Sequence, residues 1–127
     1  MIQEQFVTLE TAKLLKSKGF EQNVAHYYDG NHLWRHYSGE ILPKRELFGA
    51  PTQQMAMKWL REVHNIGVFP ATYTITNAEG TEAYYTYGTA IVNLITHELM
   101  LADYLPKDTY EEAVEVALRY CLEHFID

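Results

Sequence analysis

The chain has 127 residues, a length at which one core buries about two-thirds of the surface of the unfolded chain, and we read it as a single domain over 1–127. Hydrophobic residues at 47% and charged residues at 21% exclude a disordered or fibrous chain. Ten Lys and Arg against seventeen Asp and Glu give a net charge of −7, which opposes attraction to phosphate backbones, so no nucleic acid partner is expected.

Residues Met1 to Thr8 lack the basic-then-apolar plan of a secretory signal. The single cysteine, Cys121, cannot form an intramolecular disulfide, and together these features predict a cytoplasmic protein. Thr8 is placed to cap a first helix in which Leu9, Ala12 and Leu15 recur at helical spacing. Gly19 stops that helix, Phe20 folds back on its last turn, and Val7 sits before the cap as a hydrophobic staple.

From Asn23 to Tyr37 the apolar and aromatic residues crowd too closely for a surface helix, and Asp29-Gly30 is a favoured two-residue turn, which predicts a β-hairpin. With Tyr28 opposite Asn31, one face carries Val24, His26, Leu33 and Arg35. The other carries Ala25, Tyr27, His32, Trp34 and His36. Ser38 to Ala50, with two glycines and Pro43, reads as a loop whose Ile41, Leu42, Leu47 and Phe48 tuck against the core.

Pro51 and Thr52 open the clearest helix, with Met55, Ala56, Trp59, Leu60 and Val63 as its apolar stripe. Asn65 and Gly67 mark its end, and His64 lies at the carboxyl end of the dipole. Val68 to Thr76 and Glu82 to Gly88 read as a second hairpin around the turn Asn77 to Gly80, with Pro70 confining the first strand to an edge or a bulge. The uncharged run Ala83 to Thr96 holds Thr86, Gly88, Thr89 and Asn93 and falls short of the roughly 20 apolar residues of a membrane span, so no membrane association is expected. For Ala90 to Leu105 the pattern of Ile91, Leu94, Ile95, Leu99 and Ala102 favours a helix capped by Thr89, although Ile91, Val92, Ile95 and Thr96 also suit a strand. Asp108 and Glu111 resemble a capping box. After them Tyr110, Ala113, Val114, Ala117, Leu118, Cys121 and Phe125 line one face of a closing helix.

The stretch Pro51 to Asn65, followed by two strands and then Thr109-Tyr110-Glu111-Glu112-Ala113-Val114-Glu115, resembles small uncharacterised proteins encoded in phages and prophages of intestinal anaerobic bacteria. Those proteins pair a "TQ…KWLRE…N" helix with a "YEEALE" type closing helix, and the similarity covers roughly residues 51–76 and 108–126. The resemblance implies a mobile-element context and carries over no activity and no site residue. Trp59 and Leu60 read as core, Lys58 and Glu62 as an i, i+4 pair, and Glu111 as a cap, the pattern of a scaffold.

Few constellations carry chemistry. On a strand, His32 and His36 lie roughly 13 Å apart, too far to share one metal ion. His97-Glu98 reads as the polar edge of an apolar element. Neither Ser17 nor Ser38 sits in a nucleophile elbow, and Cys121 falls on an apolar stripe as a small core residue. The glycines form neither a phosphate loop nor a dinucleotide fingerprint, so no cofactor and no metal is expected. Tyrosine is the one unusual count, ten in all. Tyr27, His32, Trp34, His36, Tyr84, Tyr85 and Tyr87 form the candidate contact surface, and because Tyr84 and Tyr85 point to opposite faces, one of them needs a cover from outside the core, which favours self-association.

The expected architecture is α+β, with an antiparallel sheet of about four strands built from two hairpins and three or four helices packed on one face. The expected function is noncatalytic: an accessory protein of a mobile element that binds a protein partner or assembles with itself as a homo-oligomer. One alternative is a histidine-dependent enzyme or anion-binding site on the first hairpin, with His26 and Arg35 as its polar cluster. The other is an acidic inhibitor of a host nuclease or defence protein.

Overall fold

The computed structural model describes residues 4–37, 39–42 and 45–127; Met1–Gln3, Ser38 and Pro43, on which parts of the sequence reading fall, lie outside them. The chain runs α1 (Leu9–Ser17), β1 (His26–Asp29), β2 (His32–Arg35), β3 (Phe48–Gly49), α2 (Gln53–His64), β4 (Ile66–Thr76), β5 (Ala83–Asn93), β6 (Leu99–Asp103) and α3 (Tyr110–His124). The class is α+β, but the single four-stranded sheet is replaced by two antiparallel three-stranded sheets, ordered β2-β1-β3 and β4-β5-β6, with three helices among the described residues.

The first hairpin forms with a changed register. Asp29 pairs with His32 and Tyr28 with Leu33, so the loop is Gly30-Asn31, with Gly30 in the left-handed region at φ +58°. Each partner moves by two residues, and because side chains alternate with a period of two, the predicted faces are preserved. Arg45 clasps the Asp29 carboxylate at the end of β1 and holds its pKa below the usual range. Within the predicted loop 38–50, Phe48 and Gly49 form β3 and Phe48 packs on the core as expected, whereas Ile41 is 95% exposed and Leu42 is also exposed.

The largest departure is 90–105, which forms strands. β5 runs on to Asn93, Leu94–Thr96 turn, and β6 returns beside it. Asn93 directs the turn: its side-chain oxygen accepts the amides of Ile95 and Thr96 at 2.9 and 3.0 Å. His97 follows at φ +64°, a conformation that no helix continues through. With β-branched Ile91 and Val92 already in the ladder opposite Val68 and Gly67, cross-strand packing outweighs the apolar spacing.

Thr8 caps α1 as expected, and Thr52, which opens α2, is its cap. Asn65, at φ +56°, ends α2 alone, and β4 begins at Ile66, so Gly67 belongs to the strand. The buried side of α2 is rotated from the predicted stripe: Gln53, Ala56, Met57, Trp59 and Leu60 are buried, while Met55 and Val63 are exposed. Thr109, not Asp108, caps α3 and accepts the Glu112 amide at 3.0 Å. The core joins α1, α2 and α3 to the side of β4 and β5 bearing Ile66, Val68 and Ile91, with Leu60, Leu118 and Leu122 wholly buried at its centre. Phe20 closes one end, edge-on to Trp59 at 5.3 Å.

At the edge of this core lies a buried carboxylate. Glu115 of α3 accepts the backbone amide of Thr8 and the side-chain amide of Gln53, which also donates to the Glu111 carbonyl at 2.9 Å. The Gln53 backbone amide donates to the Gln5 carbonyl at 2.8 Å, so one polar group ties the amino-terminal segment and the first turn of α2 to α3. Glu115→Ala is expected to lower unfolding stability by about 1–3 kcal/mol, because it strands the Thr8 amide and the Gln53 side chain. Chemical denaturation measures this, and an unchanged midpoint would show that water replaces the carboxylate without loss.

Candidate functional site

The first sheet gathers four of the predicted residues. Tyr27, Trp34 and His36 form a triangle of rings with centroids 6.0–6.2 Å apart, and His32 stands at the far end of the same face. The Trp34 indole nitrogen is buried and has no hydrogen-bond partner among the described residues. His36 bonds the Glu40 carbonyl at 2.9 Å, which fixes the ring beside Trp34.

The opposite face of the hairpin meets the body of the protein. Tyr28 donates its hydroxyl to the Val7 carbonyl at 2.8 Å. His26 and Arg35 stand directly across the β1–β2 ladder and line a cleft of about 350 Å³ with Glu4, Phe6, Thr52 and Met55. Glu4 escapes a sequence reading because it arrives from the segment before α1, where the Phe6–Thr52 bridge holds it beside the hairpin. A carboxylate, an imidazole and a guanidinium thus share one cleft, but among the described residues no ion pair joins them. His26 instead lies against the Phe6 ring at 4.3 Å, and the Arg35 guanidinium lies over the Tyr37 ring at 5.1 Å. Burial, and then the Arg35 charge, lower the His26 pKa below its ordinary 6.5, so the cleft holds a neutral imidazole that can accept a proton, with no group aligned to orient it.

The second sheet has a different character. Its register puts the odd-numbered residues of 67–75 and the even-numbered residues of 84–92 on the side away from Ile66, Val68 and Ile91, joined by Leu99 and Ala102 of β6. No charged side chain stands on this outer side of any of the three strands. Phe69, Tyr84 and Leu99 on it are 51, 55 and 60% exposed. Two glycines shape the surface: the Phe69 ring fills the space where Gly67 would carry a Cβ, and the Tyr73 ring does the same over Gly88, where a Cβ would also meet the Asp103 carbonyl at 2.6 Å.

The predicted contact residues therefore lie on two sheets. Tyr84 belongs to the outer face of β4-β5-β6; Tyr85, 80% exposed, and Tyr87, edge-on to Tyr110 at 6.5 Å, point to the other side. Phe69, Ala71, Tyr73 and Ile75 were not singled out, although the unbroken uncharged run from Ile66 to Ala78 is a signal that a strand covered on only one side rarely carries. Cys121 is wholly buried, and burial pushes its thiol up to about 12, which removes it as a nucleophile at neutral pH. Among the described residues no three His, Cys, Asp or Glu side chains are grouped to hold a metal ion, and no helix is long and apolar enough to cross a membrane. No family model, curated protein or solved structure matches the chain.

The His26 environment is open to direct measurement. The unfolded chain takes up a proton at this histidine before the folded one does, so the neutral ring contributes stability that is full above about pH 6.5 and is lost as pH falls through the folded midpoint. Imidazole titration by NMR is expected to give His26 a midpoint below 6.5, raised in Arg35→Gln. A midpoint at or above 6.5 that ignores the Arg35 substitution would remove this electrostatic account of the cleft.

Proposed function

We propose that this chain is a noncatalytic accessory protein of a mobile element that works in the cytoplasm by binding protein. The mobile-element context rests on the resemblance of 51–76 and 108–126 to phage and prophage proteins. The observation that carries the binding reading is the outer face of β4-β5-β6: uncharged along three strands, aromatic, and more than half exposed at Phe69, Tyr84 and Leu99. An apolar patch of this extent costs solubility when left bare, and its usual reason is a contact made there. Tyr84 and Phe69 are rigid, two-torsion side chains that lose little entropy on docking. The aromatic triangle of Tyr27, Trp34 and His36 supplies a smaller, second contact.

The cleft at His26 and Arg35 supports the competing reading of histidine chemistry or anion binding. Against it, Arg35 is committed to Tyr37 and His26 to Phe6, and the charged rims Glu4 and Arg35 stand in solvent.

Photocrosslinking decides between them. A benzophenone amino acid at position 69 or 84 is expected to form adducts in source-cell extract at least about tenfold more often than one at Glu62, on the solvent side of α2. Equal yields at the three positions would sink the binding reading.

A further inference from the structure

We propose that the occupant of the outer face of β4-β5-β6 is a second copy of this chain, stacked sheet on sheet across a two-fold axis that crosses the strands. The inference rests on the binding reading above and names its partner.

Area and charge select this occupant. Strands of 11, 11 and 5 residues, at about 3.3 Å rise and 4.8 Å spacing, give each copy a face of roughly 430 Å² in plan. The accessible surface of side chains standing on a sheet exceeds its projection, so two such faces remove on the order of 1,000 Å² from water, the lower bound of a specific interface. Each copy carries −7, so two copies repel wherever carboxylates approach one another. This face brings no charge against another, because its strands have none on that side.

The acidic hairpin tips bear on the orientation. Glu79 and Glu82 flank the tip of the β4–β5 hairpin. A two-fold axis along the strands would bring the tips of both copies together. An axis across the strands separates them by the length of the strands, roughly 36 Å, several screening lengths at physiological salt. The residue pattern fits that second axis. Ala71 and Gly88 are cross-strand partners at the midpoints of β4 and β5, so the axis passes over this row, where Ala71 is exposed and the Tyr73 ring covers Gly88. The aromatic rows on either side then exchange: Phe69 of one copy meets Tyr73 of the other, and Tyr84 meets Val92.

The pure full-length protein tests this by sedimentation velocity across about 5–500 μM. The expected result is a mass that rises from 14.8 kDa toward twice that value, with the dimer fraction increasing in high salt as the mutual repulsion of the −7 charges is screened. Ala71→Glu, which sets two carboxylates face to face on the axis, is expected to raise the dissociation midpoint more than tenfold while leaving the circular dichroism spectrum and the denaturation midpoint intact. In Ala71→Cys, a bis-maleimide spanning about 8 Å is expected to join the two copies across stacked sheets, and Glu62→Cys gives no such product. A mass fixed at 14.8 kDa throughout, or a dimer indifferent to Ala71→Glu, overturns the proposal. If the pure protein is monomeric yet positions 69 and 84 still crosslink in extract, self-pairing fails and the binding reading stands; if both fail, both fall.

Discussion

The bond from the Thr8 amide to the Glu115 carboxylate is the contact on which the arrangement of helices turns. A helix begins with amides that have no partner inside the helix, and in an ordinary capping box a carboxylate three residues on reaches back to the cap amide. Here that position is Thr11, whose own amide is taken by the Thr8 hydroxyl, and the reciprocal bond comes from another helix. Glu115 therefore completes the start of α1, and through Gln53 it also fixes the start of α2. A buried carboxylate left unpaired is costly, so the packing that surrounds it is tightly specified.

The two sheets then take different roles. The small sheet lies against α1 and the amino-terminal segment, through Phe48, Tyr28 and the Tyr28 hydroxyl bond, and behaves as a lid on one end of the core. The large sheet is covered by helices on one side only, beside Ile66, Val68 and Ile91, and its distal strands reach past α3 beyond Tyr87 and Tyr110. Gly67 and Gly88 leave room for the rings of Phe69 and Tyr73 against the ladder on the outer face. An uncharged, exposed aromatic surface is the property on which the functional reading depends.

Local signals were read well where a single residue's chemistry decides the backbone. The cap at Thr8, the opening of α2 at Thr52, the left-handed Gly19, the edge position of Pro70 and the core position of Cys121 all follow from residue type and spacing. Register and partners were harder. The hairpin slipped by two because both Asp29-Gly30 and Gly30-Asn31 are acceptable loops, and a long-range contact with Arg45 stands beside the one adopted. Residues 90–105 carry a spacing compatible with helix, and what makes them strands is the β4 ladder more than twenty residues earlier together with the side-chain bonds of Asn93. The split into two sheets was invisible for the same reason: nothing local states which hairpin a third strand joins. At the candidate site, alternation put His26 and Arg35 on one face but not directly opposite one another, while Glu4 entered the cleft through a bridge at Phe6 that leaves no periodic trace.

The Thr8 to Glu115 bond also spans 107 residues of sequence. On the ribosome, the first helix emerges long before the side chain that secures it, and at ordinary elongation rates it waits on the order of ten seconds for that partner. Until α3 appears, the start of α1 rests on its bonds to the residues before α2, Val7 to Pro51 and Gln53 to Gln5, without the carboxylate that completes it. The nascent chain thus presents the β4–β5 hairpin before α3 is there to cover its inner side.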